Sequence, residues 1–168
     1  MMTKNQITSA LEKLNDELLV LEVKGEVCLY GGAAMCLVYD ARPNTKDVDA
    51  IFKPTQQMRE AAKRVAEALH LKTDWLNDAV KGYVVNHSQK VFFNFSNLKV
   101  FVPEPDYLLA MKTLAARVDA TDRQDVQFLI ELLGLKSARE VFSILEKYYP
   151  RQRIKPATQF FIEELFEK

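Results

Sequence analysis

The chain has 168 residues, 48% of them hydrophobic, and 23 Lys and Arg balance 23 Asp and Glu for a net charge of zero. That much apolar material builds one well-cored domain, or a domain with a helical appendix, and excludes a disordered chain. Zero net charge excludes coating of nucleic acid by bulk charge, leaving only local basic stretches such as Arg151-Gln152-Arg153-Ile154-Lys155. No apolar run reaches the ~20 residues of a membrane span, and the first residues lack a signal-peptide core, so a cytoplasmic protein without membrane partners is expected.

Thr3 followed by Gln6 is a capping-box pattern, and Ile7, Leu11, Leu14, Leu18 and Leu21 repeat at helical spacing behind it, so an amphipathic helix is predicted to end near Gly25. A strand over Val27 to Tyr30, a helix over Gly32 to Tyr39, a loop at Pro43, a strand over Asp47 to Phe52 and a helix from about Gln56 to Leu69 follow. Cys28 and Cys36 sit in apolar company and read as reduced, buried filler. Trp75 to Lys81 is read as a short helix, with Trp75 and Asn77 either a core anchor and a turn cap or the lining of a pocket. His70 and His87 lack zinc-ligand spacing and are expected in loops or solvent. Lys90 to Phe95 and Leu98 to Val102 form a predicted hairpin around Ser96-Asn97.

After Pro103 every segment reads as helical: Pro105 to about Val118, a capping box at Thr121 opening a helix that ends at Gly134, another at Ser137 opening a helix that ends before Pro150, and a last helix from Pro156 with Phe160, Phe161, Leu165 and Phe166 on its apolar face. The expected organisation is an α/β core over 1–103, a mixed sheet flanked by helices, and a helical C-terminal region over 104–168 packed on it.

The chemistry concentrates between residues 27 and 51. An apolar strand delivers the chain into Gly31-Gly32 and then a helix, whose first amides are donors for an anion. Strand alternation sends Asp47 and Asp49 to one face, roughly 6.5–7 Å apart at the backbone. Two like charges on an interior strand need a cation or a basic partner, so Asp47 and Asp49 are the candidate metal ligands for Mg²⁺, or Mn²⁺ in its place, shared with the oxygens of a triphosphate. Arg42 and Lys46 offer the alternative of a structural counter-charge. Thr45 either bonds a phosphate or orders the loop. Lys112 lies at the margin of an apolar helix face, as a phosphate ligand or a snorkelling stem. Asp122 and Asp125, three apart, share a helix face, although a first-turn acid also suits the helix dipole.

With those residues laid out, the chain resembles the minimal nucleotidyltransferases of the DNA polymerase β-like superfamily, in the small prokaryotic branch related to abortive-infection, type IV toxin–antitoxin enzymes. Gly31-Gly32, Arg42, Thr45, Asp47 and Asp49 are similar to its glycine pair, Arg-x-x-Thr linker and Asp-x-Asp. Leu108 to Lys112, Arg117 and Thr121 to Asp125 are similar to the lysine and aspartate motif of the same branch, and Trp75-Leu76-Asn77-Asp78 also fits. The resemblance spans about residues 26 to 132. It implies a nucleotidyltransferase fold, catalytic roles for Asp47, Asp49 and Asp122 (the last as a base or further metal contact), and nucleotide binding by Gly31, Gly32, Arg42, Thr45 and Lys112.

The activity so implied is Mg²⁺-dependent transfer of a nucleotidyl group from a nucleoside triphosphate to a hydroxyl acceptor, with RNA, protein and small molecules all open, and with the toxin of a toxin–antitoxin system as one biological setting. Many members of the superfamily carry a third carboxylate on a later strand, whereas Val91 to Val102 holds no Asp or Glu. That departure supports the alternative of a catalytically inactive interaction module, such as a partner of an antitoxin protein.

Overall fold

The computed structural model describes residues 1–114 and 120–167, with no side-chain account of Ala120 and Thr121. Two compact units result, one made of 1–83 and 89–103, the other of 84–88 and 104–168.

The first unit is a mixed α/β layer. A short strand β1 (Met2–Thr3) runs into helix α1 (Lys4–Val20), then strand β2 (Gly25–Leu29), helix α2 (Gly31–Tyr39), the two-residue β3 (Asn44–Thr45), β4 (Val48–Lys53), α3 (Thr55–Leu69), β5 (Leu76–Asn77), a 3₁₀ turn over Ala79–Gly82, and the hairpin β6 (Gln89–Asn94) and β7 (Leu98–Pro103). Five strands form one sheet in the order β5-β4-β2-β7-β6; β2 is antiparallel to β4 and parallel to β7. The predicted capping box is present: Gln6 N donates to Thr3 Oγ1 at 3.2 Å and Thr3 N to Gln6 Oε1 at 2.8 Å. Helix α1 stops at Val20, short of Gly25, because Glu22 takes a left-handed conformation (φ 56°).

One face of the sheet carries Val27, Leu29, Val48, Ala50, Phe52, Leu98, Val100 and Val102, all buried in a cluster with Leu11, Leu14 and Leu18 of α1 and Met58, Ala62 and Val65 of α3. Period-two alternation on the strands and period-3.6 spacing on the helices supply the two surfaces that meet there. Each fully buried aliphatic side chain stabilises by about 1.5–3 kcal/mol, so this layer fixes the sheet, and with it the opposite face.

One local expectation needs correcting, and one pairing is added to those expected. Trp75 to Lys81 is not a helix: Leu76–Asn77 pairs in parallel with Val48–Asp49, and a 3₁₀ turn follows. Trp75 fixes this extended path, since its Nε1 donates to Ala62 O at 2.9 Å while Val48 N donates to Trp75 O at 2.6 Å. Met2–Thr3 also pairs with Asn44–Thr45, a ladder of two residues a side without a sequence signal.

The regular elements of the second unit are helices: α4 (Pro105–Leu114), α5 (Ala120–Leu132), α6 (Ala138–Tyr148), a 3₁₀ turn and α7 (Pro156–Leu165). Arg117, the expected end of the first helix at Val118, and the Thr121 side chain of the second capping box lie outside the described residues. Ser137 caps α6 by accepting from Glu140 N at 3.3 Å, while Glu140 reaches back to Lys136 N. Segment 84–88 belongs here because Val85 N donates to Tyr107 Oη at 3.0 Å and the His87 ring packs tilted against the Tyr107 ring, centroids 4.1 Å apart.

Candidate functional site

In the first unit, β2 ends at Leu29 and the chain turns through Gly31 directly into α2, with Tyr30 as the extended N-cap residue. Gly31 sits at φ +59°, a conformation that costs an L side chain roughly 1–2 kcal/mol, and a Cβ there would lie 3.1 Å from Asp49 Oδ2. A Cβ on Gly32 would lie 2.6 Å from both Arg42 Nη1 and Thr45 Oγ1. The glycine elbow is therefore tightly enclosed, and three of the residues singled out from sequence form its walls. Replacing Gly32 by Ala forces Arg42 and Thr45 aside; a loss of about 1–3 kcal/mol in urea denaturation is expected, with displaced amide resonances at both residues.

Asp49 reaches the elbow because Tyr30 N donates to Asp49 O at 2.9 Å, extending the β2–β4 ladder by one pair. On its other side Asp49 pairs in register with Asn77 of β5. Asn77 Oδ1 accepts from Ala79 N at 3.3 Å, so it caps the turn and also stands beside the acid. Thr45 is buried and donates to Asp47 O at 3.3 Å, fixing the bend that leads into β4. Asp47 precedes β4 and is partly buried. Burial pushes its carboxyl above the ordinary range, the Asp74 charge adds to that, and Lys72 and Lys46 oppose it.

That shift has a definite sign. A carboxyl with a raised folded-state pKa binds more protons folded than unfolded, so stability falls as pH rises from the ordinary carboxylate range through the raised value. Asp47→Asn should therefore melt higher than wild type at pH 7 and alike at about pH 3, where both side chains are neutral; calorimetry at the two pH values checks it.

The family model described as "Nucleotidyltransferase of unknown function (DUF6036)" matches residues 5–147. The chain belongs to this nucleotidyltransferase family. A solved structure, an antigenic nucleotidyltransferase-like protein from Paracoccidioides brasiliensis, is similar in fold, with a TM-score of 0.50 at 16% identity over 96% of this chain and 94% of that one. No curated protein matches. Family and fold thus agree with the superfamily expected from the glycine pair and Asp-x-Asp.

Elsewhere in the chain, Lys112 and Asp122 lie in the second unit. Lys112 Nζ contacts Asp125 Oδ2 at 2.8 Å and Asp122 Oδ1 at 3.3 Å, with the Lys112 and Asp125 side chains only 11% and 2% exposed. Asp125, buried on a helix face shared with Val126 and Leu129, was the more telling acid: a carboxylate within an apolar stripe calls for a nearby cation. The cysteines are both buried, and burial pushes the Cys28 thiol up to about 11, far from a reactive thiolate. Among the described residues, no group of three or more His, Cys, Asp and Glu is arranged to hold a metal, and no helix is long and apolar enough to cross a membrane.

Proposed function

We propose that this family member transfers a nucleotidyl group from a nucleoside triphosphate to a hydroxyl acceptor, with Mg²⁺ held by Asp47 and Asp49. The observation that carries the reading is the approach of the Asp49 carboxylate to the Gly31 elbow, 3.1 Å from where a Cβ would stand. The donor set fits a hard cation: two carboxylates flank the first residue of one strand, and the Asp47 carboxyl already feels the like charge of Asp74, which a divalent ion would offset. When bound, the ion supplies charge neutralisation for phosphate oxygens and acidifies an attacking hydroxyl.

The chain's own groups do the rest. Amides at the start of α2 donate to phosphate oxygens, and the missing Cβ atoms let a polyphosphate approach the backbone. Arg42 offers a charged donor at the same elbow, and Thr45 a hydroxyl that would exchange its bond to Asp47 O for one to phosphate. Lys112, which contacts Asp122 and Asp125 within the second unit, is proposed as a phosphate ligand and Asp122 as the base, both on the resemblance alone. Calorimetry of the wild type with Mg²⁺ and each nucleoside triphosphate tests the reading, followed by incubation of labelled triphosphates with cell extract. Absence of Mg²⁺-dependent triphosphate binding would refute it.

A second reading has its own observation. On β7, the residues that alternate onto the face shared with Asp49 are Lys99, Phe101 and Pro103, where a third carboxylate would be expected in many of the superfamily's enzymes. An inactive module, such as one partner of a toxin–antitoxin pair, accommodates that. It predicts that no acceptor is ever labelled, while a bound partner protein is retained by the Asp49→Asn variant.

A further inference from the structure

The sheet face that carries Asp49 is built in rows. Strand pairing sets Lys53 opposite Glu26, Glu26 beside Lys99, and Lys99 opposite Asn94. The next row is Ile51, Cys28, Phe101 and Val91, and Asp49 follows two residues from Ile51. Partners across either kind of ladder point to the same face, so one face runs from an acid, over an apolar floor, to a lysine row. Along β4 the separation of Asp49 from Lys53 is ~13 Å, four residues at ~3.3 Å each.

The lysine row borders a cavity of about 550 Å³ that Lys24, Lys53, Lys99, Glu26, Phe95 and Asn97 help to line. A second cavity of about 220 Å³, over Cys28, Ile51 and Phe101, shares Glu26 and Lys53 with it. Charge in the larger cavity does not balance. Glu26 answers Lys53 at 3.2 Å, while Lys24 and Lys99 form no ion pair among the described residues. The floor is fixed in place: Asn97 N donates to Asn15 Oδ1 at 2.7 Å, Asn97 Nδ2 to Val23 O at 3.1 Å, and Gly25 N to Asn97 O at 2.8 Å.

We propose that this cavity is a second, phosphate-binding site, remote from the acid pair, in which Lys24 and Lys99 neutralise a phosphate group and the Lys53–Glu26 pair marks its border toward Asp49. Two surplus ammonium groups match a phosphate better than a carboxylate, because lysines act as point charges and the cavity lacks the planar arginine fork that favours carboxylates. The shared chemistry is a phosphate, either free or within a phosphodiester chain, and the apolar floor toward Asp49 accommodates the rest of a longer ligand.

The test uses the ¹⁵N-labelled full chain in EDTA, titrated separately with inorganic phosphate and with a thymidine pentanucleotide lacking terminal phosphates. Shifts at the amides of Gly25, Asn97 and Lys99 are expected with at least one probe. Lys24→Gln with Lys99→Gln should weaken binding by about tenfold or more, and the double Arg variant should retain it. The tighter probe identifies the source, free phosphate or phosphodiester. No response at those amides to either probe up to about 10 mM, or equal affinity in the double Gln variant, overturns the proposal. Asp49→Asn should leave this binding intact, so a failure of nucleotidyl transfer and a failure of this site are distinguishable.

Discussion

Asp49→Asn should lower nucleotidyl transfer roughly a thousandfold while leaving the fold in place. The loss follows from charge: the amide keeps the shape of the carboxylate but gives up its hold on a divalent cation, a contribution of several kcal/mol, and ~4 kcal/mol corresponds to about 10³ in rate. The main-chain contacts of residue 49, Tyr30 N to Asp49 O and the register with Asn77, are the same for an amide as for a carboxylate, so strand pairing is kept. Incorporation of labelled nucleotide, read beside a thermal melt, checks both halves. Wild-type activity in the variant would remove Asp49 from the chemistry.

Lys112→Met should destabilise the second unit by about 3–5 kcal/mol in urea denaturation. The methionine fills a similar volume, so packing is largely conserved, but the cation 2.8 Å from a carboxylate that is 2% exposed disappears. The Asp122 side chain is 22% exposed and that of Asp125 2%, so loss of the cation weighs more on Asp125. The companion Lys112→Met/Asp125→Leu variant should therefore recover much of the loss, and a double-mutant cycle with Asp125 should show larger coupling than one with Asp122. A small, additive pair of effects would mean that the ion cluster contributes little to folding.

The comparison of sequence with structure is instructive at particular residues. The elbow was legible because each of its cues is local: an apolar run, two glycines, a helix, then alternating acids with Val48 between them. The capping boxes at Thr3 and Ser137 were legible for the same reason. Strand β5 was not, since two residues are too few for alternation to register, and the apolar spacing of Trp75, Leu76, Ala79 and Val80 imitates a helix. What holds Leu76–Asn77 extended is pairing with Val48–Asp49 together with the Trp75 bond to Ala62, interactions between residues distant in sequence. Asn77 beside Asp49 is visible only through that pairing. The three-way cluster of Lys112, Asp122 and Asp125 likewise depends on two helices meeting, although the buried position of Asp125 left a trace in the apolar pattern around it.

The small ladder joining Met2–Thr3 to Asn44–Thr45 bears on how the protein is handled. Its second strand contains Thr45, which lines the glycine elbow, so a disturbance at Met2 or Thr3 is passed to the prop beneath that loop. Affinity tags belong at the other terminus. An amino-terminal fusion can leave the melt unchanged and still displace the elbow.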